Sequence, residues 1–305
     1  MAKTYSTLSA LFIDIADAIR EKTGDTATIV ADDFPDAIRE RLQVIPPSPY
    51  LTFSSPSSFT LKVNNARKHW NGTLEYSTNT STWTTWDGTT TLSSATSGSG
   101  NVLYLRGTGN TIITGNNLDH RWVLTGSNIS CIGNIENLLD YATVASGNHP
   151  AMASYCYYCM FTGCTGLTQA PDLPATTLAN YCYNFMFHSC TSLAQAPALP
   201  ATTLASSCYS GMFYNCTSLT QAPALPATTL ANYCYSNMFD GCTKIKLSST
   251  QTGEYTVSYR IPTTGTGTTA SNALSNMFVR TGGAFKGTPS INTTYYLSNT
   301  NTVIS

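Results

Sequence analysis

Cys182-Tyr-Asn-Phe-Met-Phe-His-Ser-Cys190-Thr-Ser-Leu-Ala-Gln-Ala-Pro-Ala-Leu-Pro-Ala-Thr-Thr-Leu204 returns 26 residues later as Cys208-Tyr-Ser-Gly-Met-Phe-Tyr-Asn-Cys216-Thr-Ser-Leu-Thr-Gln-Ala-Pro-Ala-Leu-Pro-Ala-Thr-Thr-Leu230. The same period links Cys156, Cys182, Cys208 and Cys234, then Cys164, Cys190, Cys216 and Cys242, and the Met-Phe pairs that begin at Met160, Met186, Met212 and Met238. A fixed period of this size predicts a solenoid, in which each unit buries its apolar face only against its neighbours. Such an array presents an elongated surface, which suits binding.

Each unit divides into two halves. Ala179, Cys182, Tyr183, Met186, Phe187 and Cys190 are spaced i, i+3, i+4, i+7, i+8, i+11, which predicts a short helix with all six on one face. The other half, Thr220-Gln-Ala-Pro-Ala-Leu-Pro226, has two prolines three residues apart, which excludes a helix interior and leaves a short extended segment with a turn. One strand and one helix per unit is the leucine-rich type of coil.

The pattern Cys-Tyr-x-x-Met-Phe-x-x-Cys-Thr-Ser-Leu-Thr-Gln-Ala-Pro-Ala-Leu-Pro-Ala-Thr-Thr-Leu-Ala resembles the BspA-like leucine-rich repeats of bacterial surface proteins and of phage-encoded proteins of gut bacteria. The resemblance covers about residues 130 to 245 and implies adhesion and recognition rather than catalysis. Departures are Ser207, where two repeats have Tyr181 and Tyr233, the extra Cys159, and a divergent first coil from about Cys131 to Ala153.

Charge separates the chain into regions. Charged residues are 10% of the 305 and the net charge is −1, which gives no electrostatic footprint for nucleic acid or an anionic membrane. Of the 31 charged residues 13 lie in the first 41 positions, whereas Asp172 stands alone between Tyr141 and Phe239. In the charged segment Leu8, Leu11, Phe12, Ile15 and Ile19 share a helical face that Gly24 ends, and a second helix begins near Phe34, with Asp33 as cap, Pro35 in its first turn and Ile38 and Leu42 on its apolar side. Two such helices are too small to cover their own apolar faces, which predicts packing against other subunits. Ala10-Leu-Phe-Ile-Asp-Ile-Ala-Asp-Ala-Ile-Arg-Glu-Lys-Thr-Gly24 followed by Ala31-Asp-Asp-Phe-Pro-Asp-Ala-Ile-Arg-Glu40 is similar to the opening module of tail and tail-fibre proteins of phages that infect Gram-positive gut bacteria. That resemblance implies attachment to the virion through this end. The first apolar stretch contains Asp14 and Asp17 and lacks the form of a secretory signal, which favours a phage structural protein over an exported adhesin.

After the stiff spacer Pro46, Pro47 and Pro49, alternating stretches such as Phe59-Thr-Leu-Lys-Val63 and Val102-Leu-Tyr-Leu-Arg106, with turns at Asn71-Gly72 and Asp87-Gly88, predict an antiparallel β-sandwich holding Trp70, Trp83, Trp86 and Trp122. The last stretch, where Asn276-Met-Phe278 echoes the repeat without its cysteines, reads as a cap. The expected organisation is a multi-domain, mainly β chain with short helices: a helical attachment and oligomerisation segment (1–45), a β-sandwich (46–128), a leucine-rich repeat solenoid of 26-residue period (129–246) and a C-terminal cap (247–305).

The regular cysteines read as core thiols on the apolar face, and Cys156-x-x-Cys159 has no second pair at zinc-ligand spacing, so neither metal nor cofactor is expected. A catalytic pair of carboxylates has only weak candidates in Glu136 and Asp140, or Asp119 beside His120, and no catalytic residues are assigned. Positions between the invariant apolar ones vary from unit to unit. Among them Tyr158, Phe185, His188, Tyr214 and Asn237 are the candidate ligand-binding residues, an aromatic stripe free of charge.

The expected function is that of a non-enzymatic, phage tail-fibre-like receptor-binding protein. Its expected partners are tail subunits at the N-terminus and a bacterial cell-surface ligand, a glycan before a protein. It is expected to be a homo-oligomer, a trimer, that binds no nucleic acid, inserts into no membrane, and is carried on the virion tail after assembly in the host cytoplasm. The alternatives are a bacterial adhesin or interaction protein with BspA-like repeats, located on the bacterial cell surface, and thirdly a structural virion decoration.

Overall fold

The computed structural model describes residues 48–304. The expected attachment helices, with Leu8, Leu11, Phe12, Ile15, Ile19, Phe34 and Ile38, lie outside the described residues.

The first part of the described chain is built from strands whose alternate residues are buried. β1 (Leu51–Ser55), β3 (Thr73–Ser77), β4 (Thr84–Trp86) and β7 (Gly100–Thr108) form one antiparallel run, with β6 (Ala95–Ser97) also on β7. β2 (Thr60–Val63) pairs with β5 (Leu92–Ser93) and β8 (Trp122–Thr125) in a separate three-stranded sheet. The larger sheet does not stop where a self-contained sandwich ending at 128 would require. It continues through β9 (Ile129–Ile132) to β10 (Leu167–Gln169), which pairs in parallel and belongs to the first repeat. Trp70, Trp86 and Trp122 are buried against one another, while Trp83 is half-buried under the Arg106 guanidinium at 4.1 Å. The β-sheets are open, and the only α-helix among the described residues is α1 (Asn137–Ala145).

The strand-plus-helix solenoid expected for residues 129–246 is therefore corrected, because the repeats form no helix. Cys182–Cys190 is a succession of tight turns in which residues donate alternately in two directions. Cys182, Asn184, Met186, His188 and Cys190 donate their N–H to the carbonyl three residues back. Tyr181, Tyr183, Phe185, Phe187 and Ser189 donate instead to Ser206, Cys208, Ser210, Met212 and Tyr214 of the next repeat. The chain reverses by placing every fourth residue in the left-handed region: φ is 58° at Tyr181, 52° at Phe185 and 58° at Ser189. The spacing i, i+3, i+4, i+7, i+8 fits a four-residue turn as well as a 3.6-residue helix over so short a stretch. Buried pairs such as Tyr183 with Cys182, and Phe187 with Met186, recur every four residues in either geometry.

Successive repeats thus lie directly over one another as a ladder of turns. Tyr157, Tyr183, Tyr209 and Tyr235 stack in a column at 5.5, 5.7 and 5.9 Å. Phe161, Phe187, Phe213, Phe239 and Phe278 form a second column with steps of 5.4 to 5.8 Å. The echo at Met277-Phe278 is a fifth layer, reached at an offset of 39 residues because the intervening chain departs to form other structure. That structure includes β12 (Leu247–Ser248) and β13 (Tyr255–Arg260), which join β14 (Thr294–Ser298) in a three-stranded antiparallel sheet, while β15 (Thr302–Ile304) lies parallel to β11 (Gln221–Pro223) of the third repeat. One hydrophobic core runs from Leu51 to Leu297.

The cysteines serve this core. All ten are free and buried. The Sγ of Cys190, Cys216 and Cys242 donates to the carbonyl of Phe161, Phe187 and Phe213 in the preceding layer, at 3.1, 3.0 and 2.9 Å. Burial raises their thiol pKa, so these sulfurs stay protonated and act as donors.

Two outcomes are expected. Phe213→Ala, in the middle of its column, should lower stability by about 3–5 kcal/mol in urea titrations, through lost burial and the cavity left behind. Iodoacetamide should leave the thiols of the folded protein unmodified and alkylate all ten after denaturation without reductant, as read by intact mass.

Candidate functional site

Side chains at the turn corners point away from the core and line an open groove of about 710 Å³ along the ladder. Tyr155, Tyr158, Tyr181, Phe185 and Tyr233 give its aromatic surface, and Asn184, Ser207, Ser210, Ser236, Asn237, Asn272, Ser275 and Asn276 its polar surface, with no charged residue among the lining groups. The repeat dictates this arrangement. Tyr155, Tyr181, Ser207, Tyr233 and Asn272 occupy one left-handed corner in five layers, with φ of 62°, 58°, 55°, 56° and 53°. Cys159, Phe185, Gly211, Asn237 and Asn276 occupy the next corner, with φ of 54°, 52°, 60°, 55° and 56°.

Of the residues singled out from sequence, Tyr158, Phe185 and Asn237 line the groove, and His188 and Tyr214 lie beside it. His188 packs edge-on against Phe185 at 5.6 Å and against Tyr214 at 5.1 Å, and Phe185 meets Tyr214 at 6.2 Å, so these three form one aromatic cluster, while Tyr158 packs against Tyr155 at 5.7 Å. The Phe185 ring leans into the next layer, where it covers Gly211, and a Cβ at 211 would fall on the ring. Burial lowers the pKa of the His188 imidazole and keeps it neutral near pH 7. Tyr214 departs from the expected absence of charge. The Arg280 guanidinium lies 5.0 Å over its ring and is held there by Asp240 at 2.8 Å.

Sequence reading missed the corner column of Tyr155, Tyr181 and Tyr233. Its signal was present in the replacement of Tyr181 and Tyr233 by Ser207 one layer away. On a helix this position would have been one exposed site among several. On the ladder it faces the groove in every layer. Tyr155 and Tyr181 are stacked at 4.7 Å with planes 3° apart, and Tyr233 accepts a hydrogen bond on its hydroxyl from Asn272 Nδ2 at 2.9 Å.

The acidic residues considered for catalysis have separate structural partners. Glu136 is buried and its carboxylate lies 2.7 Å from His149 Nδ1. Asp140 accepts from the backbone N–H of Gly109 at 3.0 Å and of Thr143 at 2.9 Å, which lowers its pKa. Asp119 Oδ1 accepts from Asn64 Nδ2 at 3.4 Å, and His120 stacks on His69 at 3.5 Å. These groups face no common cleft in the groove of the ladder.

No family model, no curated protein and no solved structure matches this chain.

Proposed function

We propose that this chain is a non-catalytic receptor-binding protein of the phage tail-fibre kind, which recognises a ligand on the surface of a Gram-positive gut bacterium. The observation that carries the reading is the groove along the ladder, lined by aromatic, amide and hydroxyl groups without charge. Such a surface gains affinity from stacking and neutral hydrogen bonds, a chemistry suited to glycans. Its left-handed corners and doubly bonded layers hold the side chains in fixed register before any ligand arrives, which reduces the ordering cost of binding. The resemblances of the repeat and of the N-terminal segment point the same way, towards adhesion at one end and attachment to tail subunits at the other.

Contacts of this kind are individually weak, so attachment would draw on several chains engaging one surface together. The apolar positions Leu8, Leu11, Phe12, Ile15 and Ile19 would supply the association, with a trimer as the proposed state. Light scattering on the whole chain and on a chain beginning at Ser48 checks this: a trimeric mass is expected for the first and a monomeric mass for the second, and equal monomeric masses would exclude the assignment.

Recognition is tested by adsorption of the labelled full chain to a panel of Gram-positive gut bacteria at 50 and 300 mM salt. At least one strain should retain the protein, with little dependence on salt because no phosphate-like charge is neutralised. Replacing Phe185, His188 and Tyr214 together by alanine should lower that retention at least tenfold at a temperature where circular dichroism shows the variant still folded. Retention by no strain would instead favour a structural decoration of the virion, and full retention of the triple variant would move the site away from these three side chains.

A further inference from the structure

We infer that Ser207 opens a slot for a single neutral sugar ring, a hexopyranose whose two faces are both apolar, between the side chains of Tyr181 and Tyr233. The inference gives a ligand class to the groove discussed above and rests on the receptor-binding reading for its biological use.

The slot is a gap in a column. Tyr155 and Tyr181 stack face to face, and the next corner would continue the stack if it held tyrosine. Ser207 leaves the far side of Tyr181 without a ring neighbour. Tyr233 resumes the column two layers on, is 46% exposed, and is held from beyond by Asn272. The opening therefore spans two inter-layer steps, each of which measures 5.5 to 5.9 Å in the neighbouring tyrosine column.

The floor of the slot carries unused hydrogen-bonding capacity. Ser207 and Ser210 line the groove, and among the described residues neither hydroxyl has a hydrogen-bond partner, so both face the solvent of the groove. Because these oxygens are open to water in the groove, a ligand hydroxyl can replace that water and gain a neutral hydrogen bond. Beside them, Asn237 donates through Nδ2 to Ser236 Oγ at 3.0 Å, which leaves its Oδ1 as an acceptor towards the groove.

The width selects the ligand. Carbon atoms in contact sit about 3.5–4.0 Å apart, so a flat ring lying on one tyrosine leaves the other wall untouched. A pyranose chair is thicker, carries axial C–H bonds on its faces, and has its hydroxyls around the rim, where Ser207, Ser210 and Asn237 stand. Two walls require two apolar faces. An all-equatorial, gluco-configured ring has them, whereas an axial hydroxyl turns one face polar and leaves that hydroxyl against a tyrosine without a partner. With no charged group in the lining, acidic sugars gain nothing in compensation.

Calorimetry of the full chain with cellohexaose, β-1,4-mannohexaose, whose free 2-hydroxyls are axial, and an acidic oligogalacturonate tests this. Cellohexaose should bind, the other two at least tenfold more weakly. Ser207→Tyr restores the residue that Tyr155, Tyr181 and Tyr233 occupy in the other repeats; it should fold, close the slot and weaken cellohexaose binding at least tenfold, while Ser207→Ala costs no more than about threefold, the loss of one neutral hydrogen bond. Tyr233→Ala removes an exposed wall and should weaken binding similarly, which keeps the test sound should the tyrosine variant prove unstable. Unchanged cellohexaose binding by a folded Ser207→Tyr, or by Tyr233→Ala, overturns the slot, as does the absence of binding by the parent to every saccharide. Adsorption to bacteria run in parallel separates the two readings: saccharide binding that Ser207→Tyr leaves unchanged overturns the slot, and adsorption by the same variant then leaves surface recognition standing, whereas saccharide binding that Ser207→Tyr abolishes supports the slot whether or not a bacterium is bound.

Discussion

Everything in the repeat region depends on a backbone that shares its donors between its own turn and the next layer. In each of the first four layers five N–H groups bond forward to the following layer, as from Tyr181, Tyr183, Phe185, Phe187 and Ser189, and the residues between them bond back within the turn. This geometry requires a left-handed residue at every fourth position. For residues other than glycine that conformation costs about 1–2 kcal/mol each, and tyrosine, phenylalanine and serine adopt it here repeatedly. The compensation comes from what the layers then bury: two aromatic columns, the methionines beside them, and thiols that bond to the carbonyls of the preceding layer. Core and corner are thus coupled, since a corner residue stays in its strained conformation only while the columns remain packed. The groove inherits its rigidity from this coupling.

The period, the buried set and the absence of charge were legible in the sequence, because a 26-residue repeat of cysteine, tyrosine, methionine and phenylalanine is too regular to arise at the surface. The local conformation was not. Pairs of apolar residues separated by two others fit a helix and a chain of four-residue turns alike, and what distinguishes them is where the odd-numbered donors go, a long-range property with no local signature. The strand signals held as local features, since Thr60–Val63 is a strand and Val102–Arg106 lies within another, Gly100–Thr108. That the larger sheet would run on through Ile129–Ile132 into the first repeat could not be seen from alternation alone. The fifth layer was visible only as the echo Asn276-Met-Phe278, and its place in the stack was hidden because Phe278 is displaced from the period by intervening structure.

For the site, comparison between repeats identified variable positions, and three of the five chosen residues line the groove. Phe185, His188 and Tyr214 do meet edge-on, whereas Tyr158, which the assumed helix added to the same stripe, packs against Tyr155. On the ladder, the residue that continues the surface from Phe185 is at the same corner one layer away, and there Gly211 provides the room in which the Phe185 ring lies. Arg280, which comes from the fifth layer and caps Tyr214, was beyond reach because its approach depends on the 39-residue offset.

The forward-pointing donors give the ladder a polarity. At its start the carbonyls of Cys156 and Met160 are met by the N–H groups of Ile113 and Trp122, contributed by the β-rich part, and at its end Gly287 offers its carbonyl to the N–H of Phe278. The two ends are therefore closed by groups of opposite hydrogen-bonding sense. Were the chain severed between two layers, the turn segments would leave five backbone donors on one cut face and five acceptors on the other in matching register, which favours joining head to tail over head to head. Such contacts generate open filaments rather than closed rings. The flanking regions accordingly act as stops that keep a self-templating stack at a defined length.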